Sequence, residues 1–194
     1  MHTNRHCAAF HGPHQIASGE LREVALRCKA LLDRDDSAQI LIFDDLTSAP
    51  IEVDFRGTSE DVARRVAPPE PKKEEPEARG PGRPKLGVVA REVTLLPRHW
   101  EWLAEQPGGS SVALRKLVEQ GLKVNAHKDS LRHSQEATYR FASAMAGNEP
   151  GFEEAMRALF GGQGDRFHAL VSLWPADIRR HAEKLAAPVF SAVQ

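Results

Sequence analysis

Cysteine is almost missing from this chain of 194 residues: Cys7 and Cys28 are the two present. They are too few and too far apart for a disulfide framework or a zinc knuckle, which fits a reducing compartment. Long apolar runs are missing as well. No stretch of about 18 apolar residues exists to span a bilayer. Met1 to His14 is polar and rich in histidine, without the apolar centre of a secretory signal. The expectation is a cytoplasmic chain with no membrane partner. Reaction signatures are equally scarce, for there is no Gly-rich phosphate loop, nucleophile elbow or His-Glu-x-x-His pattern. His2, His6, His11 and His14, with Cys7, match no tetrahedral metal spacing. No catalytic residue, metal or cofactor is therefore assigned, and the chain is not expected to be an enzyme.

Net charge is also nearly absent, at -1, until it is divided along the chain. Residues 1–66 carry 8 Lys/Arg against 11 Asp/Glu, whereas residues 79–133 carry 10 against 5. One segment thus holds the positive excess, and an anionic partner is expected there. With 41% hydrophobic residues the chain can bury a sizeable core, and its length suits roughly one or two domains.

The class expected is α+β, in four segments. Residues 1–66 read as a small α+β domain. His11-Gly12-Pro13-His14 is a turn between short strands, Ser18 can cap a helix, and Leu21, Val24, Ala25, Cys28, Leu31 and Leu32 form a helical stripe. Gln39 to Phe43 suits a buried strand. Ile51 to Phe55 alternates apolar and acidic residues as a half-exposed strand does. Thr58 to Asp61 opens a last short helix with Val62, Ala63 and Val66 inward. Residues 67–86 form a linker rich in proline and charge, ending in a basic Gly-Arg-Pro arm. Residues 127–194 are helical in pattern, with helices expected over 131–145, 149–160, 164–173 and 175–185.

Residues 87–126 carry the most informative pattern. Arg91 to Leu96 favours a strand, and Pro97 closes it and suits the first turn of a helix. Trp100, Leu103 and Ala104 share one helix face. Trp100 belongs in a core, and Trp102, about 200° round the helix, meets the dimer partner, the C-terminal helices or a ligand, ordinary packing being the reading favoured. After Pro107-Gly108-Gly109 a second helix begins at Ser110 or Ser111, with Leu114, Leu117, Val118, Gly121 and Leu122 as its stripe. One strand and two short helices cannot close a core alone, so the pattern implies a homodimer.

This order resembles the ribbon-helix-helix DNA-binding unit. The resemblance implies that two strands pair into a ribbon for the major groove. It also implies that the turn before the second helix, here Gly109-Ser110-Ser111, holds a backbone phosphate, with Arg115 and Lys116 adding contacts. If Val93 and Leu95 face inward, the register we favour, Glu92 and Thr94 face the groove. A slip of one residue puts Arg91, Val93 and Leu95 there instead. Arg79 to Lys85, containing Gly82-Arg83-Pro84, is similar to an AT-hook, which implies that Arg83 and Lys85 reach a minor groove. The whole chain also resembles an uncharacterised bacterial domain-of-unknown-function family.

The expected function is a dimeric DNA-binding protein of bacterial transcription regulation. Its DNA-contacting residues would be Arg83, Lys85, Arg91, Glu92, Thr94, Ser110, Ser111, Arg115 and Lys116. Two alternatives stand beside it. One is a protein-interaction or assembly module without DNA binding; the other is an enzyme with an acidic site around Asp44, Asp45 and Asp54.

Overall fold

The computed structural model describes residues 6–67 and 89–191. Strands β1 (His6–His11), β2 (His14–Glu20) and β3 (Ile40–Asp44) form one antiparallel sheet in the order β2-β1-β3. Helices α1 (Leu21–Leu32) and α2 (Ser59–Val66) belong to the first half. They are followed by α3 (Pro97–Ala104), α4 (Ser110–Met145), α5 (Phe152–Phe160), α6 (Gly164–Val171) and α7 (Ala176–Ser191). The class is α+β.

Residues 6–67 and 128–191 make one compact unit, and 89–127 make another. The first and last segments, which the sequence separates by sixty residues, thus share a core. The reason lies in β1. As the central strand it is covered on both faces, and its alternation sends Ala8 and Phe10 to one side, Cys7 and Ala9 to the other. Ala8 and Phe10 join Phe43 against α5, α6, α7 and the last turns of α4. Phe10, Phe43 and Phe141 meet with ring centroids 5.3 to 6.2 Å apart. Cys7, Ala9 and Ile42 pack with Val24 and Cys28 of α1, and Ile51, Val53 and Phe55 lie at the margin. Both cysteines are buried, and burial pushes the Cys28 thiol up to about 12.

The hairpin turns at the expected tetrapeptide, but β2 runs on to Glu20. Ser18 is paired with Ala8 in the ladder, so it does not cap α1, whose N-cap is Glu20. Ile51 to Phe55 keeps the expected alternation of burial without forming a regular strand. Its ladder contact is one hydrogen bond, from the Ile51 amide to the Ile42 carbonyl at 2.8 Å, beside the Phe43–Pro50 bridge. Helix α2 begins with a capping box. Thr58 Oγ1 accepts from the Asp61 amide at 3.2 Å, and the Thr58 amide donates to Asp61 Oδ2 at 3.0 Å.

Two expected helices, one ending near Lys123 and one from Leu131, are joined in α4, which runs 36 residues. Nothing between Val124 and Ser130 breaks a helix: there is no glycine or proline. Asn125 Nδ2 donates to the Gly121 carbonyl at 2.9 Å, and Arg132 pairs with Asp129 at 3.1 Å one turn away. Trp174 is buried, its Nε1 donating to the Pro150 carbonyl at 3.1 Å, and the last helix starts at Ala176, one residue after the expected Pro175. Helix α7 runs past the expected end at Leu185, with Pro188 inside it.

Candidate nucleic-acid interface

Residues 89–96 have no regular secondary structure, so the expected strand over Arg91 to Leu96 is not formed in the chain by itself. A strand exists only through hydrogen bonds to a neighbour, and among the described residues nothing pairs with this segment. Arg91, Glu92 and Thr94 are exposed here, Leu95 is half-buried, and Val93 is exposed. Arg83 and Lys85, with the whole Gly-Arg-Pro arm, lie outside the described residues.

Pro97 opens α3 in its first turn, where a missing N–H costs nothing. Leu103 is buried, but Trp100 is 41% exposed, so the core place expected for it is not filled within this unit. Ala104 is exposed too. The physical reason is size: Leu103 and Ala113 are the buried apolar residues among those described from 89 to 127. A unit this small cannot enclose more.

The turn into α4 depends on glycine. Gly108 and Gly109 have φ of +88° and +78°, a region that penalises any residue with a Cβ. The Gly109 carbonyl then accepts from the Val112 and Ala113 amides at 3.1 Å. Gly109 therefore stands where a capping side chain usually would, and it has none to offer the amides of the first turn. No acidic residue lies in that turn. Ser110 is half-buried, Ser111 is exposed, and the positive end of the helix dipole is directed at whatever approaches them.

Two stripes run along the next turns of α4. Val112, Arg115, Lys116, Glu119, Gln120 and Lys123 line a shallow groove of about 390 Å³, at spacings of three and four residues. Three of the six are cationic and one is anionic. The adjoining stripe is apolar and uncovered: Leu117, Val118 and Leu122 are 46%, 59% and 59% exposed. The structure thus brings Ser111, Arg115 and Lys116 onto consecutive turns of one helix.

A family model described as an uncharacterized protein conserved in bacteria matches residues 6–186. The chain belongs to this family, DUF2239. No curated protein and no solved structure matches this DUF2239 chain. The match covers both units and the connection between them.

The acids of the alternative enzyme reading are engaged inside the DUF2239 fold. Asp44 Oδ1 accepts from the Leu46 and Thr47 amides and from Thr47 Oγ1 at 2.9 to 3.1 Å, closing the loop after β3. Asp45 Oδ2 holds Lys184 Nζ of α7 at 2.8 Å. Asp54 pairs with Arg56 at 2.8 Å and lies 3.8 Å from Arg65, and its carboxyl is held well below the usual carboxylate range by the Arg56 hydrogen bonds. Among the described residues no group of three or more His, Cys, Asp and Glu is placed to hold a metal. Nor is any of the described helices long and apolar enough to cross a membrane.

A different polar group was not visible in the sequence. The loop from Asp44 to Ala49 meets α7, where His181 is 3% exposed between the rings of Phe141 and Phe10, at 4.5 and 5.4 Å. Burial, then the nearby Lys184, brings the His181 imidazole down to about 4, although Asp45 opposes the shift. The signal available in the sequence was the helical spacing that puts His181 with Ile178, Ala182 and Leu185 on the inward face of α7.

Proposed function

We propose that this DUF2239 chain is a homodimeric DNA-binding protein of bacterial regulation. In this reading residues 91–96 pair with the same segment of a second copy, and each α4 presents its first turn to a backbone phosphate. The observation that carries it is the double stripe on α4: a basic stripe with Arg115, Lys116 and Lys123, beside an uncovered apolar stripe of Leu117, Val118 and Leu122. The apolar stripe wants a partner of its own kind, and the basic one wants an anion. The glycine-capped start of α4, with no acid in its first turn, supports the same reading.

Fluorescence anisotropy with a labelled duplex, across a series of salt concentrations, tests it. Two helix N-termini per dimer predict a log-log slope of about -1.8 or steeper, at roughly -0.9 per neutralised phosphate. Absence of binding at low salt, or a complex indifferent to salt, sinks the proposal.

A second reading, an assembly module that meets proteins instead of DNA, is favoured by Trp102, which is 48% exposed on α3. Exposed tryptophan is a usual anchor of protein interfaces. A variant with Arg83, Lys85, Arg115 and Lys116 all changed to alanine separates the two. Full retention of partner binding favours assembly, and loss of DNA binding with the dimer intact favours the first reading.

A further inference from the structure

Three buried side-chain atoms have no hydrogen-bond partner among the described residues: Asp45 Oδ1, Ser48 Oγ and His181 Nε2. Two of them belong to one loop. Asp45 and Ser48 lie in the loop closed by Asp44, and His181 stands one turn before Lys184 on α7, whose Nζ is 2.8 Å from Asp45 Oδ2. The same loop is fixed from a second side by Arg140 of α4, which donates to the Thr47 carbonyl. Ser48 is wholly buried and adopts φ of +51°, alone in that region among the described non-glycine residues. Such a backbone is costly and persists only where its surroundings enforce it.

Buried polar atoms left unpaired are costly, and native interiors satisfy nearly all of them with protein or with ordered water. The three atoms have complementary capacities. A carboxylate oxygen accepts only, a serine hydroxyl donates and accepts, and a neutral imidazole accepts at one nitrogen. We propose that one buried water molecule bridges the 44–49 loop to α7, donating to Asp45 Oδ1 and His181 Nε2 and accepting from the Ser48 hydroxyl. This makes three hydrogen bonds, the usual number for an internal water. It also fixes the His181 proton on Nδ1. Lys184 and Asp45 form the outer edge of the site, and Phe10 and Phe141 its apolar wall.

A high-resolution crystal structure of the full chain at pH 7 tests the site. The expected result is a single solvent peak within hydrogen-bond distance of all three atoms. A dry junction, or direct hydrogen bonds among the three side chains, overturns the proposal. In solution, imidazole 15N shifts of His181 at pH 7 give an independent reading. The Nδ1–H tautomer is expected, and the Nε2–H tautomer overturns the bridge. Ser48→Ala should leave that tautomer in place while lowering the urea midpoint, whereas a midpoint unchanged or raised shows that the hydroxyl had no partner to lose.

Discussion

The two units differ in how far they enclose their large apolar residues. In the unit of residues 6–67 and 128–191, Phe10, Phe141 and Phe167 have no exposed surface, while Phe160 and Leu173 stay 53% and 67% exposed. In the unit of residues 89–127, Leu103 and Ala113 are buried while Trp100, Trp102, Leu117, Val118 and Leu122 remain at the surface. Phe141 and Phe167 lie on helices, as do Leu117, Val118 and Leu122. What differs is whether the chain supplies the covering surface. Periodicity alone says that a face wants burial; it does not say by which molecule.

Truncation breaks the comparison most sharply. Phe141 touches Phe10, Phe43 and His181, so Phe141→Ala removes the centre of the cluster. A loss of about 3–5 kcal/mol is expected in urea unfolding, the usual cost of deleting a buried aromatic ring. Trp100→Ala in the other unit should cost no more than about 0.5 kcal/mol in the isolated protomer, as exposed substitutions do. Equal costs would mean that the second unit has a core after all.

The next effect in size is a pH dependence confined to the first unit. His181 is held neutral in the folded chain, its pKa lowered from 6.5 to about 4 by burial, then by Lys184, against the pull of Asp45. The unfolded chain takes up a proton near 6.5 and the folded chain does not. Stability is therefore complete above pH 6.5 and falls as the pH drops to 4, by up to about 3 kcal/mol. Denaturation at pH 7.5 and 4.5 measures it, and His181→Phe should flatten that part of the profile.

Much of the first unit was legible in the sequence because its signals are local. The turn at His11 to His14, the α1 stripe, the helix start at Thr58 to Asp61 and the Trp174-Pro175 helix start each depend on neighbours within a few residues. The joining of the sheet to α4 and α7 was not legible, because a face of β1 carries no mark of which distant helix covers it. Ser18 shows the limit of local rules: a good cap residue by type, it was taken by the ladder to Ala8. At the candidate interface the helices and the glycine turn were readable. The segment Arg91 to Leu96 was not, since its strand character depends on a pairing partner. The Asp45, Ser48 and His181 group joins residues more than a hundred positions apart, and no spacing pattern announces it.

A smaller effect is expected at the apolar stripe, and it is expected on association, not on folding. Leu117→Ser with Leu122→Ser should leave urea unfolding of the first unit unchanged. It should raise the dimer dissociation constant at least tenfold, about 1.4 kcal/mol, in sedimentation experiments. An unchanged association would remove the stripe from the proposed dimer surface.

The smallest change in stability is expected where the proposed function is most exposed. Arg115 and Lys116 lie on the open side of α4 and line its basic groove, and neither takes part in an ion pair among the described residues. Replacing both by alanine removes two solvated charges from a helix that alanine favours, so unfolding should shift by no more than about 0.5 kcal/mol. If they bind phosphate, the same variant must flatten the salt dependence of duplex binding by roughly 0.9 in slope for each phosphate left without its cation. Stability and binding then separate at one site. Were the two to fall together, Arg115 and Lys116 would be part of what holds the second unit, and its open faces would need another account.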